Sequence, residues 1–255
     1  MRAQFYRIES YGLSSPGKKS TIRQIVAEAM RKPYACKHVS NPSIPTVLYG
    51  YNLLNTAKTI LKIKKEYEKT ATRKLLPNAQ LLVGAIASYP HTVEELLQDP
   101  LEYHRYLFWR KLNIEFAKTE YGDHLHGVIE HMDEGHPHLH IWAKAQVING
   151  KLTLGSCHPG QLAERGKEPK QRIPAYKEAM KALQNRYWLA VGKIFGMLRL
   201  SVTPSKRLSF KMSKVKKRKD KEKDNETNKS IRADPINAQP MRTTTRIDYG
   251  RSFRP

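Results

Sequence analysis

Two strand-like runs joined by a short turn constrain this chain more than any other feature of its sequence. Residues 125–132 read LHGVIEHM and residues 137–147 read PHLHIWAKAQV, with DEGH between them. So short a connection permits only antiparallel pairing. The hairpin signal INGK follows, with a further strand around Leu152. The region therefore predicts an antiparallel meander.

Two more strands complete the predicted sheet. The run AQFYRIESY near the amino terminus alternates as a half-buried strand does, with Tyr6 and Ile8 on one face and Arg7 and Glu9 on the other. The short apolar run over residues 80–90 is bounded by polar residues and proline, which favours a buried, central strand.

Helical spacing of apolar residues predicts helices that pack on this sheet. They cover residues 21–32, 53–73, 92–121 with a break at Asp99 and Pro100, and 173–197. Residues 38–50 and 157–172 have the composition of loops. The predicted fold class is α+β, an antiparallel β-sheet with helices packed on it.

Charge indicates the kind of partner. Lys and Arg number 46 against 23 Asp and Glu, a formal net charge of +23 over 255 residues. An excess of this size indicates a polyanion, and nucleic acid is the obvious one. Two cysteines are too few for a disulfide framework, and no apolar run approaches the roughly 20 residues of a membrane helix. We therefore expect a cytoplasmic protein with no membrane insertion.

The composition changes near residue 206. Basic residues outnumber acidic ones from there to residue 232, and apolar residues almost vanish after Val215. The sequence predicts a folded domain over residues 1–205 and a basic, disordered tail over residues 206–255, which would add salt-sensitive affinity for nucleic acid.

Six of the ten histidines fall between residues 124 and 140. Alternate side chains of a strand share a face, so His138 and His140 lie side by side, and the turn can bring His131 to the same face. A single strand histidine is more often an ordinary surface side chain, but a third one favours a metal site. Three nitrogens leave coordination positions open, as a catalytic Lewis acid requires. His124, His126 and His136 are interpreted as surface or supporting residues.

The run HMDEGHPHLHIW, residues 131–142, resembles the metal motif of HUH endonucleases. The match is to the His-x-Asp-Glu-x-x-Pro-His-x-His form found in Pre/Mob-type, MobV-like plasmid mobilisation relaxases. FYRIESY resembles the first strand of that family, KHVSNPSIPTVLYG its Asn-Pro loop, and INGKLT follows at the expected place. The resemblance covers about residues 3–200.

The resemblance implies a palm-like relaxase fold and a divalent ion, Mn or Mg, held by His131, His138 and His140, with Glu134 as the acidic residue beside it. It also implies metal-dependent, site- and strand-specific nicking and joining of single-stranded DNA at an origin of transfer through a covalent intermediate. The process would be plasmid mobilisation or recombination, with transfer or accessory proteins as further partners.

The sequence leaves the nucleophile open. Some Pre/Mob relatives use an N-terminal histidine followed three residues later by arginine, a pattern absent from the first sixty residues. N-terminal candidates are Tyr6, Tyr11, Tyr34 and His38. Tyr176 and Tyr187, eleven residues apart, would instead match replication initiators and transposases, although both are more readily interpreted as core aromatics of a helix.

Basic residues near the amino terminus are candidates for contacts with DNA phosphates. They are Arg7, Lys18, Lys19, Arg23, Arg31, Lys32 and Lys37.

Two other functions fit the sequence. The first is a rolling-circle replication initiator or single-tyrosine transposase. The second is a non-enzymatic, basic nucleic-acid-binding protein whose histidines hold a structural zinc together with Cys157 or His158.

Overall fold

A computed structural model describes residues 2–15, 20–51, 55–71, 74–152 and 157–201. The strands in this part of the chain are β1 (Phe5–Gly12), β2 (Thr46–Gly50), β3 (Gln80–Ser88), β4 (Leu125–His131), β5 (His138–Lys144), β6 (Val147–Ile148) and β7 (Lys151–Leu152). The helices are α1 (Ile22–Ala29), α2 (Thr56–Thr70), α3 (Val93–Gln98), α4 (Pro100–Tyr121), α5 (Pro159–Glu164) and α6 (Pro169–Ala190).

The main sheet is antiparallel throughout, in the order β1-β3-β5-β4-β2. The β4–β5 hairpin lies inside it, flanked by β3 and β2, while β6 and β7 form a small separate hairpin. The predicted α+β class with an antiparallel sheet is confirmed.

One face of the sheet packs on the two long helices. Tyr6 on β1 stacks on Tyr187 of α6 with ring centroids 4.3 Å apart, and meets the edge of Phe116 of α4 at 5.5 Å. Leu139 and Ile141 of β5, fully buried, extend the same core across the sheet. Burial of this apolar face provides the main driving force for folding.

The opposite face carries the histidines. The strand register places Arg7 and Glu9 of β1 on the same side as His140 of β5. Helices α1 and α2 contact this side: Ala29 of α1 hydrogen-bonds an imidazole of β4, and Thr56 at the start of α2 hydrogen-bonds His126. The cluster is therefore bounded by the sheet below and by the end of α1 beside it.

Several predicted boundaries were wrong. The stretch over residues 38–50 was predicted as loop because of Pro42 and Pro45, yet the TVLYG segment after Pro45 pairs with β4 as an edge strand, where proline just before the strand costs no ladder hydrogen bond. The last helix begins at Pro169 rather than residue 173 and contains Pro174, five residues after its first residue. Helix α5 forms inside the predicted 157–172 loop, capped by His158.

The predicted domain boundary near residue 205 and the basic tail lie outside the described residues. Among the helices that are described, none has the length and apolar character needed to cross a membrane.

Gly84 of β3 creates the space in which the aromatic side chains of the histidine face approach one another. A Cβ at this position would lie 2.9 Å from Cζ3 of Trp142 and 3.0 Å from Cε2 of Tyr11. Trp142 in turn stacks on His140, with ring centroids 5.9 Å apart and planes 12° from parallel. The glycine therefore allows the tryptophan to support a histidine of the cluster.

We expect Gly84→Ala to lower the free energy of unfolding by about 1–3 kcal/mol, because the added methyl overpacks a site between two rings. Urea denaturation measures this. Gly135→Ala is the matched control, since a Cβ there would meet nothing within 4 Å. Equal stability of the two variants would show that the rings move aside at no cost.

Candidate metal centre

Three imidazoles meet on one face of the β4–β5 hairpin. His131, the last residue of β4, lies directly opposite His138, the first residue of β5, and His140 follows two residues later on the same side. The ring centroids are 5.0 Å apart for 131 and 138, 4.6 Å for 131 and 140, and 5.2 Å for 138 and 140. One nitrogen of each ring lies within 4.8 Å of the others, so the group can hold one cation.

Backbone carbonyls fix the orientation of two of these rings. Nε2 of His131 lies 2.7 Å from the carbonyl oxygen of Ala29, and Nδ1 of His138 lies 3.0 Å from that of His136. A carbonyl oxygen only accepts, so each of these nitrogens carries the hydrogen. When such a ring is in its metal-binding form, its other nitrogen presents a lone pair, which is the usual arrangement of a metal-binding histidine.

The two lone-pair nitrogens, Nδ1 of His131 and Nε2 of His138, are 3.2 Å apart. Lone pairs at this distance repel unless a proton or a cation lies between them. Two nitrogens bound to one tetrahedral cation at about 2.1 Å would be about 3.4 Å apart. The donor set and its spacing therefore fit a divalent metal ion that favours nitrogen ligands.

The local environment keeps the rings of His131 and His140 neutral. Burial lowers the pKa of His131 to about 4, and the positive guanidinium of Arg31 acts in the same direction. Burial also lowers the pKa of His140 well below its ordinary value, with His131 contributing. Because only the neutral imidazole binds a metal, this environment favours coordination.

The turn between the strands carries two carboxylates, and Arg31 binds both. Its Nε and Nη2 donate to the two oxygens of Asp133 at 2.8 and 2.6 Å, and Nη2 donates to Oε1 of Glu134 at 2.7 Å. The backbone N–H of Ser43 also donates to Asp133 at 2.9 Å. The Asp133 carboxylate is thus fully engaged, and only 3% of its side chain is exposed.

Glu134 stands beside the three imidazoles. Its Oε1 lies 3.8 Å from Nε2 of His138, and its side chain remains about one-third exposed. An oxygen at this distance can orient or join a metal ligand set or receive a proton.

Arg31 has an uncommon backbone conformation for its residue type. It follows the last turn of α1 with φ of +53°, and the N–H groups of Arg31 and Lys32 bond back to Glu28 and Ala27. This is a Schellman cap, in which the left-handed position usually holds glycine. The guanidinium, 5% exposed and paired with two carboxylates, accounts for arginine at this position. This pairing leaves little of the guanidinium accessible for the predicted contact with a DNA phosphate.

The other predicted DNA contacts have different environments. Arg23, Lys32 and Lys37 are exposed, Arg7 pairs with Glu9 on the histidine face, and Lys18 and Lys19 lie outside the described residues.

Three of the four N-terminal nucleophile candidates lie outside the core, at different places. The hydroxyl of Tyr11 donates to Glu9 at 3.1 Å, and its ring reaches the cluster only through Trp142, whose centroid is 6.5 Å away. Tyr34 is 68% exposed on the segment after α1. His38 faces Glu28 of α1, with Nε2 3.5 Å from the carboxylate.

Three other tyrosine and histidine positions have structural roles. Tyr6 and Tyr187 are core residues on the opposite face; the hydroxyl of Tyr187 donates to Asn113 at 3.0 Å. His126 is buried against Thr56, so of its two interpretations, surface or supporting residue, the structure excludes the surface one.

The proposed structural zinc site does not form in the part of the chain that the structure describes. His158 is buried and uses Nδ1 to accept from the N–H of Gln161 at the start of α5, and Cys157 is a buried thiol. The described side-chain groups able to hold a metal are His131 with His138 and His140, or His131 with Asp133 and Glu134.

Sequence reasoning missed the positions of Arg31 and Trp142. The parity of residues 140 and 142 on β5 indicated that Trp142 shares the histidine face. No sequence signal indicated that Arg31 adopts a left-handed backbone and binds the turn.

Comparison with known proteins identifies the fold. No family model and no curated protein matches the sequence. Three solved structures described as the MobM relaxase domain (MOBV; Mob_Pre), Mn-bound and bound to plasmid pMV158 oriT DNA, match with TM-scores of 0.52, 0.51 and 0.50 at 16%, 14% and 16% identity. Each match covers 83% of this chain and 97%, 96% and 98% of the other. The chain has the fold of that relaxase domain.

We expect Arg31→Gly to lower stability at pH 7 by about 3 kcal/mol, although glycine suits the backbone, because Asp133 would be left buried without its partner. Burial raises the pKa of Asp133, but hydrogen bonds from Arg31 outweigh this and hold it below its ordinary value. The stabilisation is therefore present above the unfolded pKa, about 3.9, and disappears as pH falls through the lower folded value.

Thermal unfolding of both proteins from pH 7 to pH 2 measures the difference. Adding Asp133→Asn to the Arg31→Gly variant should restore part of the lost stability at pH 7. A stability difference between the wild-type protein and the Arg31→Gly variant that stayed constant from pH 7 to pH 2 would contradict the pairing of Arg31 with Asp133.

Proposed function

We propose that this protein is a metal-dependent relaxase that nicks and joins single-stranded DNA at an origin of transfer. The observation that carries the proposal is the convergence of His131, His138 and His140, with lone pairs of 131 and 138 directed at one point. The net charge of +23 supports a nucleic-acid substrate. The solved relaxase domains with this fold are bound to Mn and to oriT DNA, which supports Mn²⁺ as the ion and such DNA as the substrate.

The three histidines would hold the ion. A divalent ion bound there supplies a Lewis acid that withdraws charge from a phosphodiester oxygen. The chain's own contribution is to orient His131 and His138 through the carbonyls of Ala29 and His136, to keep His131 and His140 neutral by burial, and to hold Glu134 beside them through Arg31. Pre-set ligands of this kind need no rearrangement when substrate arrives.

The reaction is a transesterification. An atom of the nucleophilic side chain forms a bond to phosphorus and loses its proton to a base, for which Glu134 is the candidate closest to the histidines. The bond from phosphorus to the 3′ oxygen breaks, and that oxygen leaves as a hydroxyl after taking up a proton. The protein stays linked to the 5′ end, and joining reverses the same steps.

Tyr11, Tyr34 and His38 remain the proposed nucleophiles. A replication initiator or transposase would use the helix α6 tyrosines, but Tyr187 is 1% exposed on the face away from the histidines. Tyr176 is half-buried beside His158. The burial of Tyr187 favours the relaxase over these alternatives.

The proposed protein comprises a nuclease domain over residues 1–205 and a basic tail over residues 206–255. It would act in plasmid mobilisation or recombination with transfer or accessory proteins.

We expect His140→Ala to weaken Mn²⁺ binding by at least about 100-fold and to abolish nicking, because it removes one of three ligands. Calorimetric titration with Mn²⁺ and a gel assay with labelled single-stranded origin candidates measure the two effects. His136→Ala is the matched control: its ring is exposed, and its Nδ1 lies 3.1 Å from the carbonyl of His91. Retained nicking in the His140 variant would refute the proposed centre.

We expect a covalent protein–DNA adduct that maps to one of the three proposed nucleophiles. Incubation with the cleaved strand and Mn²⁺, followed by protease digestion and mass spectrometry, identifies the peptide. Replacing the adducted residue, by phenylalanine for Tyr11 or Tyr34 or by glutamine for His38, should abolish the adduct. An adduct on Tyr176 would instead establish the initiator-type chemistry.

A further inference from the structure

Helix α2 presents a straight row of four lysines that the proposed chemistry does not use. Lys58, Lys62, Lys65 and Lys69 are all exposed, at successive spacings of four, three and four residues. With 3.6 residues per turn they fall within an arc of about 60° and extend over about 16 Å. The opposite side of the helix buries Thr56, Ile60 and Ile63. These four lysines are called the lysine row below.

The row has no carboxylate partners within the described part of the chain. The ion pair found on α2 joins Lys64, which is off the row, to Glu68 at 3.8 Å. Glu66 and Glu68 lie about 80° to either side of the row. Like charges four residues apart destabilise a helix, so an anion that neutralises them stabilises it.

Helix α2 lies on the histidine-bearing side of the sheet. Thr56 at its first turn hydrogen-bonds His126 near the start of β4, while His131 stands at the other end of that strand. Five residues of strand span about 17 Å, so the helix begins roughly that far from the metal centre. A nucleic acid reaching the centre therefore has flanking nucleotides within range of the row.

The structure assigns the lysine row to the phosphate backbone of duplex DNA beside the cleaved single strand. Single-strand sites combine positive charge with aromatic side chains on which bases stack. The row carries only lysines, and Tyr67 of α2 points about 180° away from it. Ammonium groups held at fixed spacing on a helix suit the regularly spaced phosphates of a DNA duplex, which they contact without touching the bases. This inference rests on the proposed nicking function for its biological context, but duplex binding is measured independently.

The test replaces the four lysines of the row by glutamine in the full chain. The matched control replaces four exposed lysines on α4 and α6 by glutamine, which removes the same charge. They are Lys111, Lys170, Lys177 and Lys181. Glutamine keeps helix propensity close to that of lysine, so both variants should remain folded, which circular dichroism checks.

Fluorescence anisotropy over a salt series is measured with a 20-base-pair duplex carrying a short single-stranded extension, and with a single strand of equal length. We expect the slope of log Kd against log salt on the duplex to fall by about 3 to 4 in the row variant, at about 0.9 per phosphate contact. In the control variant the slope on the duplex should change by less than about 1. On the single strand, the row variant should have the same slope as the wild-type protein.

Equal slopes for the two variants on the duplex would overturn the assignment. The assignment would also be overturned if the row variant kept its duplex binding but lost binding to phosphatidylserine vesicles. That result would make the row a membrane contact. The row variant should still nick a short single-stranded substrate. If the wild-type protein does not nick but the row variant shows the expected fall in slope on the duplex, the assignment of the row to duplex DNA is supported and the proposed nicking activity is refuted.

Discussion

The antiparallel register of β4 and β5 is the constraint on which the site depends. His131 faces His138 only in this register, because a shift by one residue would turn every side chain of a strand to the other face. The opposite face holds the register: Leu139 is fully buried there, and Glu130 is buried with its carboxylate bonded by Tyr106 and Arg110. A slipped strand would bury imidazoles in the core and expose leucine. Core packing on one side of the sheet therefore sets the ligand geometry on the other.

Charge is distributed so that the histidine centre stays free of excess negative charge. Asp133 and Glu134 lie next to it in sequence, and uncompensated carboxylates there would repel a phosphodiester. Arg31 neutralises them through buried hydrogen bonds, and the cost of its left-handed backbone is offset by the fixed position of the turn. With neutral imidazoles as ligands, the charge of a bound cation remains available to the phosphate.

Strand parity could predict the histidine arrangement and the shared face of Tyr6 and Ile8, since both depend on a period of two, and the short turn after β4 predicted antiparallel pairing. What the sequence could not indicate depends on contacts distant in the chain. Strand β2 was not predicted because two prolines precede it and its pairing partner, β4, lies about eighty residues later in the chain. Arg31 was interpreted as an exposed basic residue because the two carboxylates that it binds lie 102 and 103 residues later in the sequence.

Neither the lysine row nor the metal centre can recognise a base sequence. Phosphate contacts fix position and register but carry no sequence information, so a lysine row on α2 adds affinity without choosing a site. A metal centre built from neutral imidazoles is equally indifferent to base identity. Selection of one strand and one site would then come from other side chains, those that reach the edges of the bases.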